Sequence, residues 1–146
     1  MQALETLKAK GDVSIQITRA DGSVETKEFK NLVVNTGLNY IVSRMKDATV
    51  GAMSHMAIGS GNTAAAAGNT ALGSELGRVA LTSTTVTSNT IQYVATFPAG
   101  TGTGAITEAG MFNAASSGVM LCRTVFGIVT KDVGDSMTIT WTVTVS

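Results

Sequence analysis

A chain of 146 residues is long enough to bury most of the surface that its unfolded form exposes, so one domain with a true core needs no disulfide or metal staple. Ten Lys and Arg balance ten Asp and Glu, which leaves no basic excess to neutralise phosphates or anionic lipid and removes nucleic acid and membranes from the expected partners. Charged residues are only 14 %, well under the roughly 25 % of an ordinary soluble domain, so part of the surface is expected to be covered by neighbours in a homo-oligomer or a larger assembly. The single Cys122 cannot close an intramolecular disulfide and suits folding in a reducing cytosol. The first ten residues have neither the apolar centre of a signal peptide nor an Arg-rich transit pattern, and no run approaches the ~18 apolar residues of a membrane span.

Met1, Leu4 and Leu7 fall at helical spacing ahead of Lys8, Lys10 and Gly11. Residues 1–12 are therefore expected to form an arm or short helix, with Met1, Leu4, Leu7 and Lys8 as a candidate subunit contact and 13–146 as one β-sandwich domain. Val13, Ile15 and Ile17 alternate with polar residues up to Asp21-Gly22, a strong hairpin signal. On the return, Val24 and Phe29 are an odd number of positions apart, which predicts a bulge or strand end near Glu28. Asn35 and Thr36 are N-cap types, and Leu38, Ile41, Val42 and Met45 then follow at i, i+3, i+4 and i+7. That spacing predicts a helix over about 37–46 packed by this stripe, with Arg44 and Lys46 complementing its dipole.

His55 to Ile58 reads as a short strand leading into the Gly- and Ala-rich stretch from Gly59 to Gly68. Leu72 and Leu76, four apart, suggest a helical turn or two. Residues 79–97 read as a hairpin around Ser88-Asn89, which sets Val86 opposite Ile91, Thr84 opposite Tyr93, Thr82 opposite Ala95 and Ala80 opposite Phe97. Pro98 ends that strand, and residues 99–104 form a glycine-rich loop. Ile106 to Phe112 and Val119 to Val129 make a further strand pair. From Met137 to Ser146 apolar and hydroxyl side chains alternate without a break, the signature of a half-buried strand carrying the only Trp, Trp141. Six to eight strands with one helix predict a mostly β chain: an antiparallel, jelly-roll-like β-sandwich with one packed α-helix and Gly-rich loops.

No catalytic, cofactor-binding or metal site is expected. Gly59-Ser60-Gly61-Asn62-Thr63-Ala64 matches the dinucleotide fingerprint in letters, but the pattern that follows lacks the helix and parallel strand the fingerprint needs. Gly68 to Gly73 has phosphate-loop spacing with Ser74 where Lys is required. His55 is the only histidine and Cys122 lies in apolar company, so a Cys-His nucleophile pair is not expected, and Asp132 and Asp135 beside Gly134 read as turn residues. Glu108, inside a strand pattern, needs a rim position or a partner, and Arg123 on the predicted neighbouring strand is the candidate for a structural ion pair.

The order of segments carries more information than any one of them. Asn31 to Gly37, His55-Met56-Ala57-Ile58-Gly59-Ser60-Gly61, Thr70-Ala71-Leu72 with Glu75 and Arg78, Ala95 to Pro98, Ile106-Thr107-Glu108-Ala109-Gly110-Met111-Phe112-Asn113, and Ile139 to Thr142 together resemble small structural proteins of tailed bacteriophages, above all the tail-collar fibre proteins. The resemblance spans roughly residues 31–145. It implies a non-enzymatic virion component, assembled in the host bacterial cytoplasm, whose partners are the major capsid protein or tail proteins. Tail-collar domains usually head a fibre shaft, and no shaft is expected after the last strand here. A capsid decoration or cement protein is therefore the expectation, with a tail collar, fibre or adaptor subunit as the alternative. A carbohydrate- or receptor-binding module is a further alternative. It would require Tyr93, Phe97, Phe112 and Trp141 to form an exposed platform, whereas all four fall on predicted core faces.

Overall fold

The computed structural model describes residues 8–46 and 51–146. Among these residues nine strands and one helix follow one another as β1 (Ala9–Thr18), β2 (Val24–Val33), α1 (Asn35–Arg44), β3 (His55–Gly59), β4 (Glu75–Ala80), β5 (Ser83–Thr87), β6 (Thr90–Phe97), β7 (Gly104–Phe112), β8 (Met120–Lys131) and β9 (Ser136–Val145). They form a single curled antiparallel sheet in the order β4-β3-β7-β8-β2-β1-β9-β6-β5. Only Leu32 and Val33 of β2 pair with Arg123 and Cys122 of β8, so the sheet bends there into two halves whose apolar faces enclose one core. Trp141, Phe97, Ile15, Ile17, Met137 and Ile139 enter it from one half, and Met56, Ile58, Ile106, Met111 and Cys122 from the other.

The alternation in β9 places Met137, Ile139, Trp141 and Val143 inside and the threonines outside. β9 lies between β1 and β6, with Trp141 opposite both Val13 and Tyr93. The strand begins at Ala9, and Lys8 exchanges backbone hydrogen bonds with Ser146 at 2.7 and 2.8 Å. The boundary expected after residue 12 therefore falls inside β1. Met1, Leu4 and Leu7 lie outside the described residues.

Several expectations change. The β1–β2 register runs unbroken from Gly11 opposite Asn31 to Thr18 opposite Val24, so the bulge expected near Glu28 is absent. Val24 simply faces outward, 51 % exposed. The helix begins two residues earlier than its spacing predicts, with Val34 at the N-cap position and no side-chain cap. Instead, Thr36 Oγ1 donates to the Met120 carbonyl at 2.8 Å and the Asn35 N–H to that of Ala67 at 2.8 Å, tying the first turn to β8 and to the loop after β3. Of the predicted apolar stripe only Ile41 faces the core. Gly37 is buried, and a methyl there would sit 2.0 Å from the Leu121 carbonyl oxygen; backbone contact sets the helix face. Tyr40 and Ile41 pack on the core while Leu38, Val42 and Met45 are exposed.

Residues 72–76 form no helical turn, because Leu76 lies within β4. The hairpin around Ser88-Asn89 has the expected pairs Val86–Ile91 and Thr84–Tyr93. It ends at Ser83–Val94, and Ala80 pairs with His55 instead of Phe97. Residues 81–82 carry the chain from one half of the sheet to the other, held by Leu81 N–H to Ser54 O at 2.9 Å and Thr82 N–H to Val94 O at 2.7 Å.

Candidate functional site

The densest polar arrangement surrounds Glu108. This residue sits in β7 opposite Gly59 of β3 and Val125 of β8 and has no exposed surface. A carboxylate in such a place must be paired and hydrogen-bonded. Its Oε1 accepts from Arg123 Nε and Nη2, both at 3.3 Å, and from the Gly73 N–H at 2.7 Å. Its Oε2 accepts from the Ser74 N–H at 2.8 Å and from the Gly61 N–H. Arg123, two residues from register with Glu108 on β8, is itself buried and turns Nη1 to Asn69 Oδ1 at 2.9 Å. Thr107 Oγ1 donates to the Gly61 carbonyl at 2.8 Å.

The glycines are part of this construction. A methyl on Gly61 would come within 2.1 Å of Glu108 Oε2, and one on Gly59 within 2.3 Å of the Ser74 carbonyl. Only a bare backbone lets residues 60–74 close over the carboxylate. The fingerprint-like Gly59 to Ala64 segment is thus the start of a strap that Glu108 and Arg123 pin to the sheet. It leads into β4, which runs antiparallel to β3, and so lacks the geometry of a dinucleotide fold. Both carboxylate oxygens are committed to donors, Oε1 to three and Oε2 to two.

A second node adjoins it. Arg78 Nη2 and Nε bind the two carboxylate oxygens of Glu75 at 2.7 and 3.1 Å, while Nη1 donates to the carbonyls of Ala114 and Ser117 at 3.0 and 2.9 Å. The guanidinium lies 3.8 Å from the centroid of the Phe112 ring. One arginine therefore joins β4 to the turn that links β7 to β8. Sequence reasoning named Glu75 and Arg78 without assigning them a role. Nothing in the linear pattern links them to the carbonyls of a turn near residue 115.

At the opposite end, Asp135 closes the β8–β9 turn. It accepts from the Asp132 N–H at 2.9 Å, from Arg19 Nη1 at 2.9 Å and from the Ala20 N–H at 3.1 Å. The Asp132 bond and the Arg19 guanidinium hold its carboxyl below the usual carboxylate range. Lys131 is buried beside it and donates from Nζ to the Pro98 carbonyl at 2.9 Å; burial lowers its pKa. His55 remains half-exposed, bonded to Ser54 Oγ at 2.8 Å. Cys122 is wholly buried, which pushes its thiol pKa up and leaves it a poor nucleophile.

A groove of about 650 Å³ lies on the outer face of the β2-β1-β9-β6 part of the sheet, lined chiefly by Asp12, Ser14, Glu28, Lys30, Gln92, Thr140 and Thr142. Tyr93, Phe97, Phe112 and Trp141 are all core residues, so none offers it an aromatic platform. Among the described residues no group of three or more His, Cys, Asp or Glu is arranged to hold a metal, and no helix is long and apolar enough to cross a membrane. Compared with family models, curated proteins and solved structures, the chain matches none.

Proposed function

We propose that this chain is a non-enzymatic structural component of a tailed-phage virion, acting as a decoration or cement protein on the head. The observation that supports it is a convergence. The segments that resemble the tail-collar proteins, Gly59 to Gly61, the stretch ending in Glu75 and Arg78, and Ile106 to Asn113, meet around Glu108 and Phe112 and brace one another through the Gly61 N–H on Glu108 and through Arg78–Phe112. Residues far apart in the chain and weak as separate motifs thus belong to one rigid frame. In this reading the frame is a jelly-roll-like sandwich that works as a spacer, and its outward surfaces do the binding. Leu38, Val42 and Met45, 44, 65 and 80 % exposed, form an apolar helix face of the kind a capsid subunit would cover. A protein that binds only the assembled shell stabilises it by mass action and by many simultaneous contacts.

Purified protein mixed with heads and, separately, with tails of the parent virus that lack it, then pelleted, tests this reading. Co-pelleting with heads at a stoichiometric copy number supports decoration. Binding to tails alone transfers the assignment to a collar, fibre or adaptor subunit. Binding to neither overturns the virion role, and retention on a glycan surface in that case favours a carbohydrate- or receptor-binding module.

A further inference from the structure

β5 ends the sheet, and among the described residues no strand pairs with its outer edge. All five of its residues are exposed, Val86 by 70 %. Natural edge strands are guarded against further pairing by charge, proline, bulges or a covering segment. Here, Ser83-Thr84-Thr85-Val86-Thr87 contains no charge and no proline and is mostly β-branched, and its register with β6 is unbroken. The neutrality extends further, since residues 79–107 contain no Asp, Glu, Lys or Arg at all.

The direction of the free groups follows from the hairpin. Its two-residue turn places Thr87 and Thr90 as the closing hydrogen-bonded pair. Alternation then assigns Thr85 and Gln92 the next exchange of hydrogen bonds, which leaves the N–H and C=O of Thr84 and Val86 pointing away from β6. Asn89 O accepting from the Val145 N–H at 3.0 Å on the other side of β6 fits the same phase.

We propose that this edge is the contact for a second copy of the same chain, joined β5 to β5 antiparallel about a two-fold axis. The axis passes between the two Thr85 residues. Thr84 of each copy exchanges both backbone hydrogen bonds with Val86 of the other, making four bonds and one continuous sheet. Two features select a copy over another partner. An isologous contact requires a self-complementary surface, and this donor–acceptor pattern is self-complementary about Thr85. It also requires that no like charges meet, and the strand carries none. Thr85 opposite Thr85 is a favourable cross-strand pair, and both side chains lie on the outer, hydroxyl-rich face. The inference uses the sheet edge alone and does not depend on the virion reading.

Light scattering on the full chain across a dilution series tests it. The mass should rise from 14.9 kDa toward twice that value with concentration. Thr85→Lys places two ammonium groups face to face at the axis and should hold the protein at monomer mass; Thr85→Glu should do the same. An equimolar mixture of the two variants should recover the dimer, and circular dichroism should show both folded. Amide exchange in the wild type should slow at Thr84 and Val86 as dimer forms. A wild type monomeric at every concentration overturns the proposal, as does a dimer or larger oligomer that Thr85→Lys leaves intact. Failure of the two variants to pair on mixing overturns the Thr85 axis.

Discussion

The two ends of the sheet solve the same problem in opposite ways. β4 ends one half carrying Glu75 and Arg78 paired with each other, and its inner side is closed by the loop at Thr101 and Gly102, which approaches Gly77 so closely that a methyl there would lie 3.0 Å from it. β5 ends the other half with no charge and, among the described residues, no covering strand. At the β4 end an arginine pairs with Glu75 and holds the carbonyls of a turn, whereas the β5 edge carries no charge. The difference implies that the first end is built for stability and the second for contact. Substitutions at the two ends should therefore change different observables.

The largest effect is expected at Glu108. Glu108→Ala leaves Arg123 as a buried cation without its carboxylate and three N–H groups of the strap without an acceptor, a loss of about 3–5 kcal/mol. Urea denaturation followed by circular dichroism should show a much lower midpoint. The pair Glu108→Gln with Arg123→Met should lose less than the sum of the two single changes, since the double variant strands no charge. A loss at Glu108 below about 1 kcal/mol, the size of one ordinary exposed ion pair, would mean that the strap is held by something else.

Gly37→Ala comes next. Its methyl would press on the Leu121 backbone, which cannot swing aside as a side chain can, so overpacking of about 1–3 kcal/mol is expected. Gly68→Ala, with nothing within 4 Å, is the control, and equal thermal midpoints for the two would refute the close docking of α1 on β8. Arg78→Lys follows at about 1–2 kcal/mol, because an ammonium cannot reach Glu75, the two turn carbonyls and the Phe112 face together. If it unfolds at the wild-type denaturant concentration, the arginine does not brace the turn.

A smaller change is expected with pH. The Asp135 carboxyl titrates below its ordinary value of 3.8 in the folded protein, so its contribution to stability is complete above that value and disappears as pH falls through the lower folded one. Acid titration of the unfolding midpoint should therefore be less steep for Asp135→Asn than for the wild type. Matching acid limbs in the two proteins would show that this carboxylate is not part of the acid transition. At the open end, at a dilution where the wild type is monomeric, Thr85→Lys should change the unfolding free energy by less than about 0.5 kcal/mol, while abolishing association at higher concentration. A large loss of stability there would make β5 a structural edge and erase the contrast.

Much of the candidate frame was legible residue by residue, and very little of it as a whole. Glu108 was conspicuous because a carboxylate in an apolar strand pattern needs a partner, and Arg123 on the next strand was the cation available to it. The three backbone donors at Gly61, Gly73 and Ser74 carry no such signal, because an amide N–H is the same at every residue. The phage resemblance rested on short motifs in a given order, and the role drawn from it is still a proposal that the pelleting experiment decides. The helix stripe shows why a correct periodicity can mislead. Leu38, Val42 and Met45 are spaced as a packing face, but the absence of a side chain at Gly37 allowed the closest approach, and the helix turned its Gly37 side to the sheet and left those three residues exposed.

By itself the sequence determined the strands whose period is local and unbroken, Val13 to Ile17 and Met137 to Val145, and the turn at Ser88-Asn89 with its inner register. Period two and turn chemistry are encoded within a few neighbouring residues. Only the tertiary structure decided that Ala80 leaves the hairpin to pair with His55, that residues 60–74 fold down onto Glu108, and that the outer edge of β5 has no partner strand among the described residues. Those outcomes depend on which backbones come close enough to share hydrogen bonds, and that is set by the packing of the two halves around Trp141 and Met56.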